Sequence, residues 1–218
     1  MLGVYVSVPV ACFRKGLARE YLETEQLPPP ATCYGFLLSL VGETDRKRHL
    51  GCRVTPCIVG ELRPTSVVLR TVWRVKKTPL GSAGNTRPDY QQLLTEVELV
   101  IWIDSSSEVA SDGPNLEARI ASALADPASV TRFGGLCLGE STHLVNDVLS
   151  VERATRRLAD RPAQAFLLAP RGRMTLPIWV DHVGSSGTRF AVGNLVPRPA
   201  QLAPKPEEMP CISREEVA

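Results

Sequence analysis

Long apolar runs are missing from this chain of 218 residues, and no stretch approaches the ~20 needed to cross a bilayer. The alternating start Met1-Leu2-Gly3-Val4-Tyr5-Val6 lacks the basic and long apolar regions of a signal peptide, so a cytoplasmic protein is expected. Histidine is scarce, at three residues (His49, His143 and His182). No nucleophile elbow, P-loop, dinucleotide fingerprint or H-E-x-x-H is present either, so an enzyme is not the first expectation. No C-x-x-C pairs the six cysteines (Cys12, Cys33, Cys52, Cys57, Cys137, Cys211). Zinc needs thiolates at short paired spacing, so reduced core cysteines are expected, with no metal and no cofactor. An excess of one charge is absent too: 25 Lys and Arg stand against 23 Asp and Glu. A nucleic-acid partner must therefore be read from where cations cluster, not from the net charge.

What is present is ordinary globular composition, with 44% hydrophobic and 22% charged residues. Residues 2 to 12 alternate around Val4, Val6, Val8 and Val10 as a strand does, with Pro9 placing it at an edge or bulge. Pro28-Pro29-Pro30 precede a helical run from Ala31 to Val41, with Thr32 as the expected cap and Gly42 as the stop. Residues 54 to 59, 67 to 75 and 96 to 103 read as strands, and Leu116 to Leu124 as a helix capped by the Asp112-Gly113-Pro114-Asn115 turn. This order predicts an α+β, ferredoxin-like sandwich over residues 1–128. Between Lys76 and Tyr90 the apolar pattern collapses into a basic, Gly/Pro-bearing insert, so a hairpin with a projecting tip, a thumb over about 76–92, is expected. A glycine-rich loop and a small antiparallel portion follow over 129–196, with strands near 165–168, 174–183 and 189–195. An extended tail is expected over 197–218.

Cations gather at the ends of these elements. Arg14, Lys15 and Arg19 follow the first strand; Arg46, Lys47, Arg48 and Arg53 follow the first helix; Arg70, Arg74, Lys76 and Lys77 end one arm of the hairpin, with Arg87 across from them. Loops leaving one sheet can bring such charges onto a phosphate backbone, and Phe13, Tyr34 and His49 lie beside them as expected stacking partners for bases. Successive N–H groups of the glycine run at 134 to 139 form an expected nest for phosphate oxygens.

Three elements, in this order and spacing, resemble the CRISPR-associated protein 5 family of the RAMP superfamily over most of residues 1 to 150. They are Leu27-Pro28-Pro29-Pro30-Ala31-Thr32-Cys33-Tyr34-Gly35-Phe36-Leu37, the insert from Lys76 to Tyr90, and Phe133-Gly134-Gly135-Leu136-Cys137-Leu138-Gly139-Glu140-Ser141. The resemblance implies an RRM-like domain whose thumb binds the 5′ handle of CRISPR RNA in a type I Cascade complex. It implies the backbone subunit and the large subunit as neighbours and target DNA as an indirect partner. It adds Thr32, Gly134, Gly135, Leu136, Gly139, Glu140, Ser141 and His143 to the residues expected at the RNA. One branch of the family cuts precursor RNA with a tyrosine near the first helix and a lysine and histidine later. Tyr34 fills the first position, but Lys76-Lys77 is followed by Thr78 and no histidine lies in the hairpin. A metal-independent endoribonuclease and an adaptor that touches only proteins are the rival expectations.

Overall fold

Alternation in Leu2–Ala11 produces β1, the strand around which the fold is organised. The computed structural model describes residues 1–16, 21–61, 65–73, 79, 82, 85–109, 112–183 and 185–214, with 71–73 and 86–87 as backbone only. β1 runs antiparallel to a 19-residue strand that is β7 in chain order (Thr86–Asp104), from Leu2↔Ile103 to Ala11↔Leu94. Val4, Val6 and Val8 are buried between sheet and helices. On its other flank β1 pairs with β8 (Asp147–Ser150), but only as far as Ser7. Pro9 thus lies where that ladder has ended and no donor is needed. Across from it in β7, Glu96 has φ 52°, a local irregularity of the strand.

α1 (Pro30–Leu40) starts without a side-chain cap: Pro29 is extended and Pro30 takes the first helical position, where a missing N–H costs nothing. Thr32, expected to cap, lies inside the first turn, its N–H donating to the Pro29 carbonyl at 2.9 Å. Gly42 ends the run at φ 68°, and a Cβ there would lie 2.2 Å from the Thr131 carbonyl oxygen, so a side chain is refused on both counts. α2 (Leu116–Ala125) is capped by Asn115, whose side chain accepts from the Ala118 N–H.

β5 (Arg53–Val59) pairs with β7 on the flank opposite β1. Beyond it come β9 (Ala163–Leu168), β11 (Arg189–Pro197) and β10 (Met174–Trp179), giving the order β10-β11-β9-β5-β7-β1-β8. Short pieces edge this sheet: β2 (Phe13–Arg14) pairs with β4 (Thr24–Glu25), and β3 (Tyr21–Leu22) runs parallel to β7. β6 (Ser66–Trp73) pairs antiparallel with β7 from Ser66↔Leu93 to Trp73↔Thr86. The α+β class therefore holds as a mixed fold with a large, mostly antiparallel sheet and few helices.

Both sheet faces are covered. α1, α2 and Leu138 close one core; on the other face Val151, Ala154 and Leu158, the last from α3 (Thr155–Leu158), pack with Ala200 and Met209 against Tyr5, Val100 and Trp102. The segment after Pro197 carries little regular structure yet is held: the Ile212 N–H donates to the Cys52 carbonyl at 2.8 Å, and Met209 and Ile212 are fully buried. All six cysteines are free, with Cys12, Cys33, Cys52 and Cys57 buried. Among the described residues no helix is long and apolar enough to cross a membrane.

Candidate nucleic-acid interface

The glycine run folds as a small hairpin. The Leu138 N–H donates to the His143 carbonyl at 3.0 Å, and the Val145 N–H to the Leu136 carbonyl at 3.1 Å. Leu138 plugs this loop into the core. At the turn, Gly139 has φ 101°, and a Cβ would meet the Cys12 carbonyl oxygen at 2.8 Å. Only glycine lets the loop lie this close to the end of β1. His143 sits beneath the turn, and its Nδ1 accepts from the N–H groups of Cys12 and Glu140, each at 3.2 Å. Burial pushes its pKa down, against the raising effect of Glu140, in keeping with a neutral ring that accepts at Nδ1. The N–H groups of Leu138, Glu140 and His143 are thus satisfied within the protein, which corrects the expectation of a continuous phosphate nest. Gly134, Gly135 and Gly139 are the exposed glycines of the loop, the first two beside a fully exposed Phe133.

The loop meets the β6–β7 hairpin. Glu140 accepts from Arg70 at 3.3 Å and from the Gln91 amide at 3.0 Å, while Arg70 also donates to Gln91 at 2.7 Å. Register places Val68, Arg70 and Gln91 on this inner face, and Val67, Leu69, Tyr90 and Tyr21 on the outer one. The latter four are exposed by 40% or more. The hairpin ladder starts ten residues before the expected thumb, because a ladder projecting from the sheet has no core to demand an alternating pattern. β2 and β4 abut the same hairpin, with the Thr24 N–H donating to the Gln92 side chain at 3.1 Å. Arg14 is exposed there, and Lys15 pairs loosely with Glu23 at 3.8 Å.

A groove of about 380 Å³ leads from Cys137 and Gly139 along α1, past Thr32 and Gly35, to Arg46 and Trp179. Arg46 stacks 3.8 Å from the centre of the Trp179 ring and donates to the Val180 carbonyl at 2.5 Å. The structure thus gathers Thr32, Tyr34, Arg46 and Gly139 around one groove, and sets Leu136, Glu140, Ser141 and His143 in the loop beside it.

Several expected residues are engaged within the protein instead. Phe13 is a core residue at 2% exposure, since strand alternation that turns Arg14 outward turns Phe13 inward. The Tyr34 hydroxyl donates to the Arg46 carbonyl at 2.9 Å, its side chain is buried, and burial holds its pKa well above the ordinary range. His49 is fully buried between Glu108 at 2.6 Å and Arg119 at 2.8 Å. These three are corrected from base-stacking to structural roles. Arg48 pairs with Glu43 at 3.3 Å and donates to the Asp112 carbonyl, and Arg53 donates to the Met209 carbonyl. Arg19, Arg74, Lys76 and Lys77 lie outside the described residues, and of Arg87 only the backbone, paired with Val72, is described. Sequence reasoning missed Trp179 and His182, which line the groove. A tryptophan in a strand gives no sign of which face it takes.

No family model matches the chain. A protein of Myxococcus xanthus (strain DK1622) described as CRISPR-associated protein Cas5 is 51% identical over 220 residues, with both chains covered in full. Among solved structures, a chain of a CRISPR RNA-guided surveillance complex aligns with TM-score 0.57 at 16% identity, covering 89% of each chain. A crystal structure of a Cas protein aligns with TM-score 0.50 at 14% identity, covering 94% of this chain and 98% of that one. At such identities the two structural matches speak for the fold alone.

Proposed function

The chain belongs to the Cas5 family of CRISPR-associated proteins, and from that premise we propose that it is the non-catalytic subunit of a type I Cascade complex that binds the 5′ handle of CRISPR RNA and caps the backbone filament. In that role it supports RNA-guided DNA targeting in the cytoplasm, in antiviral defence or guided transposition. The observation that carries this reading is the Arg70–Gln91–Glu140 junction, which makes the inner face of the hairpin and the glycine loop one continuous wall beside a cation-bearing groove. Phosphate contacts along such a wall position a strand without reading its sequence.

We read β8-β1-β7-β5, with α1 and α2 as crossovers, as a ferredoxin-like, RRM-like core. The β6–β7 hairpin is its thumb and β9 to β11 its smaller C-terminal portion. The exposed outer row of Val67, Leu69, Tyr90 and Tyr21 supports a protein neighbour on the thumb, which we assign to the backbone subunit, with the large subunit at the same end of the complex. The buried, internally bonded Tyr34 hydroxyl speaks for a binding role over the nuclease alternative.

The test is purification of the protein with its neighbouring subunits. Changing Lys76 and Lys77 to Glu is expected to lower the co-purified RNA, read from the ratio of absorbance at 260 and 280 nm, without unfolding the chain. Undiminished RNA at moderate salt overturns the reading. Cleavage of a repeat RNA in the presence of chelator, abolished by Tyr34→Phe, would put the nuclease in its place.

A further inference from the structure

Trp179 reaches the α1 side of the sheet through a defect. The β10–β11 register passes from Pro177↔Phe190 to Trp179↔Arg189, leaving Ile178 as an extra residue, and Ile178 and Trp179 are both buried where alternation would bury only one. A bulge re-aims the side chain after it. Here it turns the indole toward α1, where the ring carries the Arg46 guanidinium on its face. With one N–H donating to the Val180 carbonyl, Arg46 is held by a stack and a hydrogen bond, and its remaining donors stand at the junction of two grooves. The second groove, about 850 Å³, runs from Arg46 and Trp179 to Lys47, Arg189 and Arg214, and the Arg214 guanidinium lies 5.9 Å from the same ring. None of these four cations forms an ion pair among the described residues. Asp181, the acid lining the groove, forms no ion pair with them: its carboxylate accepts from the N–H groups of Val183 and Gly187 and feels Arg46 only at longer range.

We propose that Trp179 and Arg46 form a preset phosphate clamp, and that a single RNA strand lying against the glycine loop continues past it into the groove of Lys47 and Arg214. This rests on the handle-binding reading above and extends the path to the C-terminal segment. A guanidinium already held flat loses little freedom when it takes a phosphate, and its planar fork matches phosphate oxygens as a lysine ammonium does not. Trp179 is then a positioning residue that touches no RNA itself.

Anisotropy of a labelled single-stranded RNA of about a dozen nucleotides, titrated with the full-length protein at several salt concentrations, separates these roles. Arg46→Gln is expected to weaken binding about tenfold and to reduce the salt slope by about 0.7, one phosphate's share. Trp179→Leu is expected to weaken binding by a similar factor with the slope unchanged, because the charge stays but is no longer held. Arg214→Gln, an exposed position that leaves the core intact should the Trp179 variant not fold, is expected to lower the slope by about 0.7. Wild-type binding with Arg46→Gln or Arg214→Gln unaffected overturns the clamp and its path. No binding by the wild-type chain overturns the handle reading on which they rest.

Discussion

Replacing Glu140 by alanine removes the carboxylate that joins the hairpin to the glycine loop. Its ion pair with Arg70, at 3.3 Å, joins side chains exposed by 42% and 28%, and pairs in that setting contribute about 0.2–1 kcal/mol. The Gln91 amide is buried, and its bond to a charged acceptor at 3.0 Å contributes about 1.5 kcal/mol. Together they hold the loop on the hairpin by about 2 kcal/mol, a factor of about thirty in the docked population. Hydrogen exchange followed by mass spectrometry reads this directly. In Glu140→Ala, peptides over 136–145 are expected to exchange at least about tenfold faster, while the paired amides of β1 and β7 keep their protection. Glu140→Gln, which keeps an acceptor for Gln91, should fall between. Unchanged exchange in the loop refutes the single-wall argument, and an equal rise across β1 and β7 refutes it as well, since that would mean global loosening.

Three further outcomes follow from the same geometry. His143 has its pKa depressed from 6.5 by burial, so the folded loop resists a proton that the unfolded chain accepts: its contribution is complete above about pH 6.5 and declines as pH falls below that. Exchange protection of the Cys12 and Glu140 amides should decline in that window, and His143→Asn, which keeps an acceptor without titrating, should remove the pH dependence. Gly139→Ala is expected to cost about 2 kcal/mol in urea unfolding, from a positive φ and a Cβ 2.8 Å from the Cys12 carbonyl; a cost below about 0.5 kcal/mol would mean that loop and β1 move apart freely. Burial raises the Glu43 carboxyl, but Arg119, the Asp45 N–H and Arg48 outweigh it and hold its pKa down at about 2. Its stabilisation is therefore complete above 4.5 and lost as pH falls through about 2, and Arg119→Gln should destabilise by about 2 kcal/mol at pH 7 but much less at pH 2.

The sheet was legible where one face of a strand meets the core. Val4, Val6 and Val8 alternate because the core demands it, and the proline run announces α1 because no regular structure survives Pro28-Pro29-Pro30. β8 was not legible, since Asp147–Ser150 is a short, half-buried edge that needs no apolar periodicity. Nearness in sequence misled where it was taken for nearness to solvent. Phe13 and Arg14 are neighbours on opposite faces, and His49 follows three cations yet lies in a buried relay with Glu108 and Arg119. Trp179 stayed hidden because its direction depends on a bulge, which is a property of pairing with β11 and not of the six residues of β10.

The near-neutral charge of the chain takes on a different meaning once the pairs are placed. Glu43 is tied to Arg48 and Arg119, Glu108 to His49 and the Leu116 N–H, and Glu117 to the N-terminal amine, all around α2. Acids there are consumed in holding helices and loops to the sheet. Arg46, Lys47 and Arg214 instead line open grooves and form no ion pair among the described residues. A net charge of +2 therefore hides a division of labour. One region spends its ionisable groups on the fold, and another keeps cations in solvent where counterions can be exchanged for phosphates. That asymmetry, more than any total, is what makes the proposed RNA path compatible with a nearly neutral protein.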